Sequence, residues 1–465
     1  MNREPQKLVI IGHGAAGLAA AVSAAEQARS RDVLLEITLL EKSREGEAGG
    51  NTRWSPSYMR LAAPDRLAPG FEDDMHQASG GLADRGYFRK LAERAPATIG
   101  WLQTHGVAFD TPVYYLAAGP PRIQPVGGGR AIVDKLADAA RRVGVKLRYE
   151  AQATGLLARD RRVNGVEIQS GDHVTTVDAN AVVLACGGFQ GNGAMMRAQF
   201  GPAADSIRLI SPGTRFDTGD GIRMAMDLGA DVSGDWNGMH IEPIDPRSQH
   251  SAPVVLIYPY GIVVDQNGCR FFDEGGGLVH ETWEAFARDI HFGRPKNIAY
   301  AILDSRLFDI PGFERAIRSD VPPHQSATVE GLAALTGIPV RQLRQTIERF
   351  NAAATGDAAR FDATRCDGLA ASSELSPPKS NWARAIDKPP YLAYPLAGGL
   401  AYTFGGLATN EKAEVLGQDG PIPGLYAAGE TTGHFHGTAP NAVSVLRALV
   451  FGKIAGRQAV DFLQG

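Results

Sequence analysis

Lys7-Leu8-Val9-Ile10-Ile11 runs directly into Gly12-His13-Gly14-Ala15-Ala16-Gly17, and the reading of this stretch decides the fold. An Ala-rich helical pattern follows over Ala15–Ala28. A second apolar strand, Glu36–Leu40, then delivers Glu41, 24 residues after Gly17. Strand, glycine-rich turn, helix and a strand ending in an acid together form the dinucleotide-binding fingerprint. Gly12 closes the turn, Gly14 leaves the backbone bare where a pyrophosphate approaches, and Gly17 lets the helix pack on the strand. The helix N-terminus, around Ala16, offers N–H donors and the positive end of its dipole to the phosphates. Glu41 is placed to accept hydrogen bonds from the ribose hydroxyls.

The turn alone does not separate one dinucleotide from another, but the next stretch does. Ala48-Gly49-Gly50-Asn51-Thr52-Arg53 reads as a second phosphate-wrapping loop, where a nicotinamide enzyme would usually proceed to its third strand. FAD is therefore expected. At the far end, Pro423-Gly424-Leu425-Tyr426-Ala427-Ala428-Gly429-Glu430 reads as a buried strand ending in a small-residue turn with one acid. If both ends build one cofactor site, the middle is an insertion. The expected class is α/β: a Rossmann-like FAD-binding domain over 1–230 and 384–465, with an inserted α+β capping domain over 231–383 that meets the substrate.

Between these ends, Val163–Ser170 and His173–Val177 read as a hairpin turning at Gly171. Asn180–Ala185 reads as a buried parallel strand that ends in a second backbone-approach turn, Cys186-Gly187-Gly188-Phe189. Asp220 opens a helix, and either caps it or faces the cofactor. Tyr391–Gly406 reads as short strands with glycines, and Asn441–Phe462 as the last helix. The chain has 465 residues, a formal charge of -4 and 44% hydrophobic residues, which argues for a globular enzyme and against a nucleic-acid binder. Its three cysteines are far apart, so neither a zinc site nor a redox dithiol is expected. No apolar run approaches the length of a membrane span, and a cytoplasmic location is the expectation.

GHGAAG, LLEK, AGGNTR, ACGGFQGN, TGDGIRMAMDLGA, NGCRFFDE, IPGLYAAGE and VFGKIAG occur in this order along the chain. By these motifs the chain resembles the fumarate reductase/succinate dehydrogenase flavoproteins, in their soluble single-chain branch. GGNTR and the short C-terminal half are most similar to the tricarballylate dehydrogenases. The resemblance implies FAD held by Gly12, Gly14, Ala16, Gly17, Glu41, Lys42, Gly50, Asn51 and Thr52. It adds Ala153 at the adenine, Gly187, Asp220, Gly429, Glu430 at the ribityl chain, and Ser444 and Val445 at the flavin edge. Ser43–Ala48 lacks the histidine that tethers flavin in covalent relatives, so non-covalent FAD is expected.

The resemblance also implies oxidation or reduction of a C–C bond beside a carboxylate or carbonyl, with a tricarballylate-like acid as the leading substrate. Arg270, in Gly268-Cys269-Arg270-Phe271-Phe272-Asp273-Glu274, matches the stretch where the family places its acid/base arginine. Taken without that match, Arg270 and Glu274 read as a structural pair. The substrate half departs from the family: Tyr402 and Glu242 stand where histidines are usual, and the carboxylate-clamping arginine is missing. Candidate replacements are His436, His434, Arg447 and Arg215, with His240 on the capping side; Arg447 reads equally as a surface pair. Tyr402, with Tyr258, Tyr260, Tyr391 and Tyr394, gives a second reading, a 3-ketosteroid-dehydrogenase-like enzyme. A third is an electron-transfer subunit serving a membrane or iron–sulfur partner.

Overall fold

In the computed structural model, residues 4–113, 116 and 119–464 are described. Both ends of the chain meet in one six-stranded sheet. Its order is Glu414–Gly417, Gly420–Ala427, Ala181–Leu184, Gln6–Ile11, Leu35–Leu40 and Lys146–Arg148. All neighbours are parallel except the edge pair formed by the first two. The register sets Ile10 beside Val183 and Leu39, and Val183 beside Tyr426. These strands are near-continuous runs of apolar residues because helices and a second layer bury both faces.

The turn after Gln6–Ile11 requires its glycines. Gly12 has φ +110, and a Cβ there would collide with the Ala185 carbonyl; a Cβ on Gly17 would collide with the carbonyl of Gly12. The first helix, Ala15–Ser30, packs along the last, Ser444–Gln464. Gly452 and Gly456 of the last helix lie against the Ala16 and Ala20 carbonyls of the first, too close for any side chain. The last helix starts three residues later than the sequence suggests, after Ala442 adopts φ +60.

Gln152–Arg159, Arg162–Ser170 and His173–Asp178 form an antiparallel three-stranded sheet that contains the expected hairpin. The capping layer is a second six-stranded sheet around one long strand, Tyr391–Thr403, rather than the short strands expected there. Arg208–Leu209, Met239–Ile244, Ala299–Leu303 and His324–Ser326 all pair with it. This sheet therefore takes strands from either side of 231–383. The strand stays unbroken because nearly every residue is buried, and because Gly398 and Gly399 make room for Ile241 and Ile244. It begins in the capping layer and ends at the cofactor cleft, where the Thr403 N–H donates to Glu430 at 3.1 Å. Among the described residues, no helix is long and apolar enough to cross a membrane.

Candidate active site

One long cleft runs from the glycine turn, between the two sheets, to the start of the last helix. At one end its walls are Gly12–Ala16, Glu41, Lys42, Ala153, Gly187, Asp217 and Asp220. Gly50, Asn51 and Thr52 line the middle, and Gly429, Glu430, Ser444, Val445 and Arg447 continue it. Gly17 lies behind the wall, in the helix packing. The structure thus brings together every residue expected at the dinucleotide except Gly17, whose part is structural.

Local contacts show why each residue stands there. Glu41 ends its strand with both carboxylate oxygens turned back on the turn, accepting from the N–H groups of His13 at 3.1 Å and Ser43 at 2.8 Å. Thr52 accepts from the Ala15 N–H at 3.3 Å. Asn51 is a strut: its amide donates to the Ala401 carbonyl at 2.8 Å, while its oxygen accepts from Ser211 and Thr214. Asp220 does not cap its helix, which begins after Gly219 in a left-handed conformation; its carboxylate pairs with Lys42 at 3.0 Å.

Asp217, which the sequence reading missed, is buried beside Glu430, with Gln190 donating to it at 2.9 Å. Burial raises Glu430 to about 7, and burial together with the charge of Glu430 holds Asp217 well above the usual carboxylate range. Protonated carboxyls can donate to a polyol chain as well as accept from it.

Toward the capping layer the cleft is lined by Tyr58, Arg122, His240, Glu242, Trp283, Arg318 and Tyr402. Arg122, only 3% exposed, and Arg318 come from segments almost two hundred residues apart. Their guanidinium carbons lie 5.5 and 5.8 Å from the Tyr58 ring centroid, and Arg318 donates to the Tyr58 hydroxyl at 3.0 Å. Burial, then the charges of Arg122 and Arg60, lower nearby His280 to about 4. This is a cationic pocket, and no local sequence pattern marks Arg122 or Arg318.

His240 and Glu242 project from one strand into the same cleft. His240 lies between two carboxylates, Nδ1 at 2.5 Å from Glu284 and Nε2 at 3.0 Å from Glu242. Burial acts to lower its pKa, but hydrogen bonds to Glu242 and Glu284 outweigh it and raise the group to about 10. Tyr402 stacks on His240 with centroids 4.8 Å apart, and burial raises its phenol above the usual range, so it stays a neutral donor. The alternation His-x-Glu on a strand was the available signal for this group.

Other expected site residues lie elsewhere. Arg270 does not line the cleft. Its side chain is 4% exposed, donates to both oxygens of Glu274 at 3.1 and 2.6 Å, and also to the carbonyls of Pro377, Pro378 and Phe272. All its donor groups are engaged in holding the capping layer together, so the structure gives it the Arg–Glu pairing and no route to a substrate. His436 and Arg215 do not line the cleft, and Arg215 pairs with Glu47. His434 is buried, stacked on Tyr87 at 3.6 Å and bonded to Thr409 at 2.8 Å. Tyr258, Tyr260, Tyr391 and Tyr394 also lie outside the cleft wall. Arg447 is no surface pair: it is buried in the cleft wall, donates to the Thr432 carbonyl at 3.2 Å, and its Nε has no hydrogen-bond partner among the described residues.

These residues fit FAD. A helix N-terminus without a side-chain cap meets bare glycines at one end, and an unsatisfied buried arginine N–H stands beside a second helix N-terminus at the other. The geometry defines a flavin-dinucleotide oxidoreductase. The chain belongs to the FAD binding domain family, whose profile matches residues 7–445, and which includes the fumarate reductase and succinate dehydrogenase flavoproteins. It is 28% identical to a probable fumarate reductase of Shewanella frigidimarina, over 98% of this chain and 75% of that protein. It is 30% identical to a 4-oxocyclohexanecarboxylate 2-dehydrogenase of Sinomonas cyclohexanicum, over 81% and 68%. Among solved structures, the open form of a flavocytochrome c3 fumarate reductase matches 99% of this chain and 79% of its own, with a TM-score of 0.78 and 24% identity. A 3-ketosteroid-Δ4-(5α)-dehydrogenase of Rhodococcus jostii RHA1 matches over 99% and 98%, with a TM-score of 0.71 and 25% identity. The chain is an FAD-dependent oxidoreductase of C–C bonds.

Proposed function

We propose that the enzyme oxidises or reduces a C–C bond beside the carboxylate of a small organic acid. The observation that carries this reading is the convergence of Arg122 and Arg318 on Tyr58 within the FAD cleft. Two guanidinium groups in a largely buried pocket offer an anion paired, charge-assisted hydrogen bonds. Bound FAD supplies hydride chemistry. Gly12, Gly14, Ala16, Glu41, Lys42, Thr52, Asp220 and Glu430 would hold it, without a covalent bond because 43–48 offers no histidine. Arg122 and Arg318 would orient the acid, with Tyr402 donating at the same end of the cleft. A tricarballylate-like acid suits two cationic groups, since it brings more than one carboxylate. The electrons then pass to a separate acceptor, for which a membrane or iron–sulfur protein is a candidate.

A second reading is an oxo acid, favoured by the 4-oxocyclohexanecarboxylate relative and by Tyr402, a buried neutral phenol that can polarise a ketone. A steroid enone brings no charge to complement Arg122 and Arg318, which counts against it despite the shared fold. Anaerobic bleaching of the bound flavin by tricarballylate, 4-oxocyclohexanecarboxylate and a steroid enone, with dye-linked turnover, tests these readings. Bleaching by an acid is the expected result, and bleaching by the uncharged enone alone would overturn the proposal.

A further inference from the structure

We propose that Glu242 is the group that takes or returns the proton during catalysis, with His240 and Glu284 as the positioning pair that sets its charge. The inference rests on the organic-acid reading of the cleft. It starts from a process of elimination among the polar groups that line the substrate end. His240 has both ring nitrogens occupied by carboxylates, so neither can reach a substrate. Tyr402 is a donor held neutral by burial. Arg122 and Arg318 are permanent cations, and the Tyr58 hydroxyl is already held by Arg318 at 3.0 Å. Glu242 remains: Oε1 meets His240, while Oε2 has no partner among the described residues and the side chain, 19% exposed, lines the cleft.

The charge of the cluster suits a base. With the imidazolium between two carboxylates, the three side chains together carry one negative charge, and one further proton makes them neutral. The cluster is fixed from every side. Strand pairing sets His240 opposite Tyr402, helix Val279–Gly293 supplies Glu284 and Trp283, and the Ala439 N–H reaches Glu284 at 3.4 Å. Other charged groups facing it are Arg447 from the last helix and Arg122 and Arg318 across the cleft.

In the oxidative direction, the C–H bond on the carbon beside the carboxylate breaks and its proton passes to Oε2 of Glu242. The electron pair left behind becomes the new C=C bond as a hydride departs from the neighbouring carbon, the two-electron oxidation that FAD chemistry supplies. Glu242 then loses its proton to water through the open end of the cleft. Reduction runs these transfers in reverse.

The test uses FAD-loaded Glu242→Gln, Glu242→Asp and Glu284→Gln enzymes with an acid that bleaches the wild-type flavin. Glu242→Gln should bind the unsaturated acid, read from the flavin difference spectrum, within about threefold of wild type. Its bleaching rate should fall by about 10²–10⁴, the range of general acid–base catalysis, and Glu242→Asp should recover part of it. Titration calorimetry in buffers of different ionisation enthalpy should show proton uptake when the unsaturated acid binds the wild type, where Glu242 must hold the proton it returns, and none in Glu242→Gln. Glu284→Gln removes one of the two carboxylates that raise His240 to about 10, and should move the basic limb of the bleaching rate, where His240 loses its proton, to lower pH. A Glu242→Gln rate within tenfold of wild type, or unchanged proton uptake, overturns this proposal alone. If no organic acid perturbs the wild-type flavin, the reading of the cleft fails instead.

Discussion

Replacing Arg122 by glutamine tests the anion pocket most directly. Arg122 is 3% exposed, so its charge acts through protein rather than water. At an effective dielectric of about 20, a carboxylate about 4 Å away gains roughly 4 kcal/mol. The carboxylate gives up hydration to enter, and charged hydrogen bonds in proteins net about 1.5–3 kcal/mol. The acid should therefore bind about 10- to 150-fold more weakly to Arg122→Gln. Arg318 is less buried and partly engaged with Tyr58, so Arg318→Gln should cost less, about three- to tenfold. The assay is a flavin difference titration with the acid and with its neutral methyl ester, which should lose little. An internal check comes from His280, held down first by burial and then by Arg122 and Arg60. Its NMR titration should move up from about 4 in Arg122→Gln. An acid affinity within twofold of wild type, or an equal loss for acid and ester, refutes the reasoning.

Glu41→Ala strands the N–H groups of His13 and Ser43 and removes the proposed ribose acceptor, so FAD affinity should fall about 10- to 100-fold by flavin-fluorescence release; full occupancy at low FAD would count against that placement. Arg270→Ala breaks a buried pair and should cost about 3–5 kcal/mol in denaturant unfolding while turnover per bound flavin stays within a few-fold; lost turnover with stability intact would return Arg270 to the chemistry. The stability supplied by His240 should be present in full below about pH 6.5, decline as pH rises and be gone above about 10, because its folded pKa is raised. Against Glu284→Gln as reference, the wild type should lose about 2–4 kcal/mol over that window, and a pH-independent difference would show that His240 does not titrate there.

The dinucleotide half was legible because its chemistry is written locally. Gly12, Gly14 and Gly17 report a turn, and Glu41 and Glu430 report the ends of strands, all set by backbone geometry within a few residues. The substrate half depends on which distant segments meet. Arg122 follows two prolines and Arg318 sits in an irregular stretch, and neither carries a periodicity that points inward. Arg270 and Glu274, four apart, carry the same pattern whether they serve a proton path or a buried strut, and only the carbonyls of Pro377 and Pro378 decide between them. Tyr391–Thr403 looked broken because of its glycines, which in the folded protein are places where neighbouring side chains need room.

The sharing of one sheet between the two chain ends has a consequence for biogenesis. The ribosome delivers Gly12–Thr52 long before Gly420–Ala427 and Ser444–Gln464. Until then the edge of Ala181–Leu184 that pairs with Gly420–Ala427, and the face of the first helix that Gly452 and Gly456 pack on, lack those neighbours. A chain short of Gly420–Ala427 therefore carries an exposed apolar edge. A cleft with all its walls needs both segments, so a bound flavin would report a chain made and folded through Ser444–Gln464.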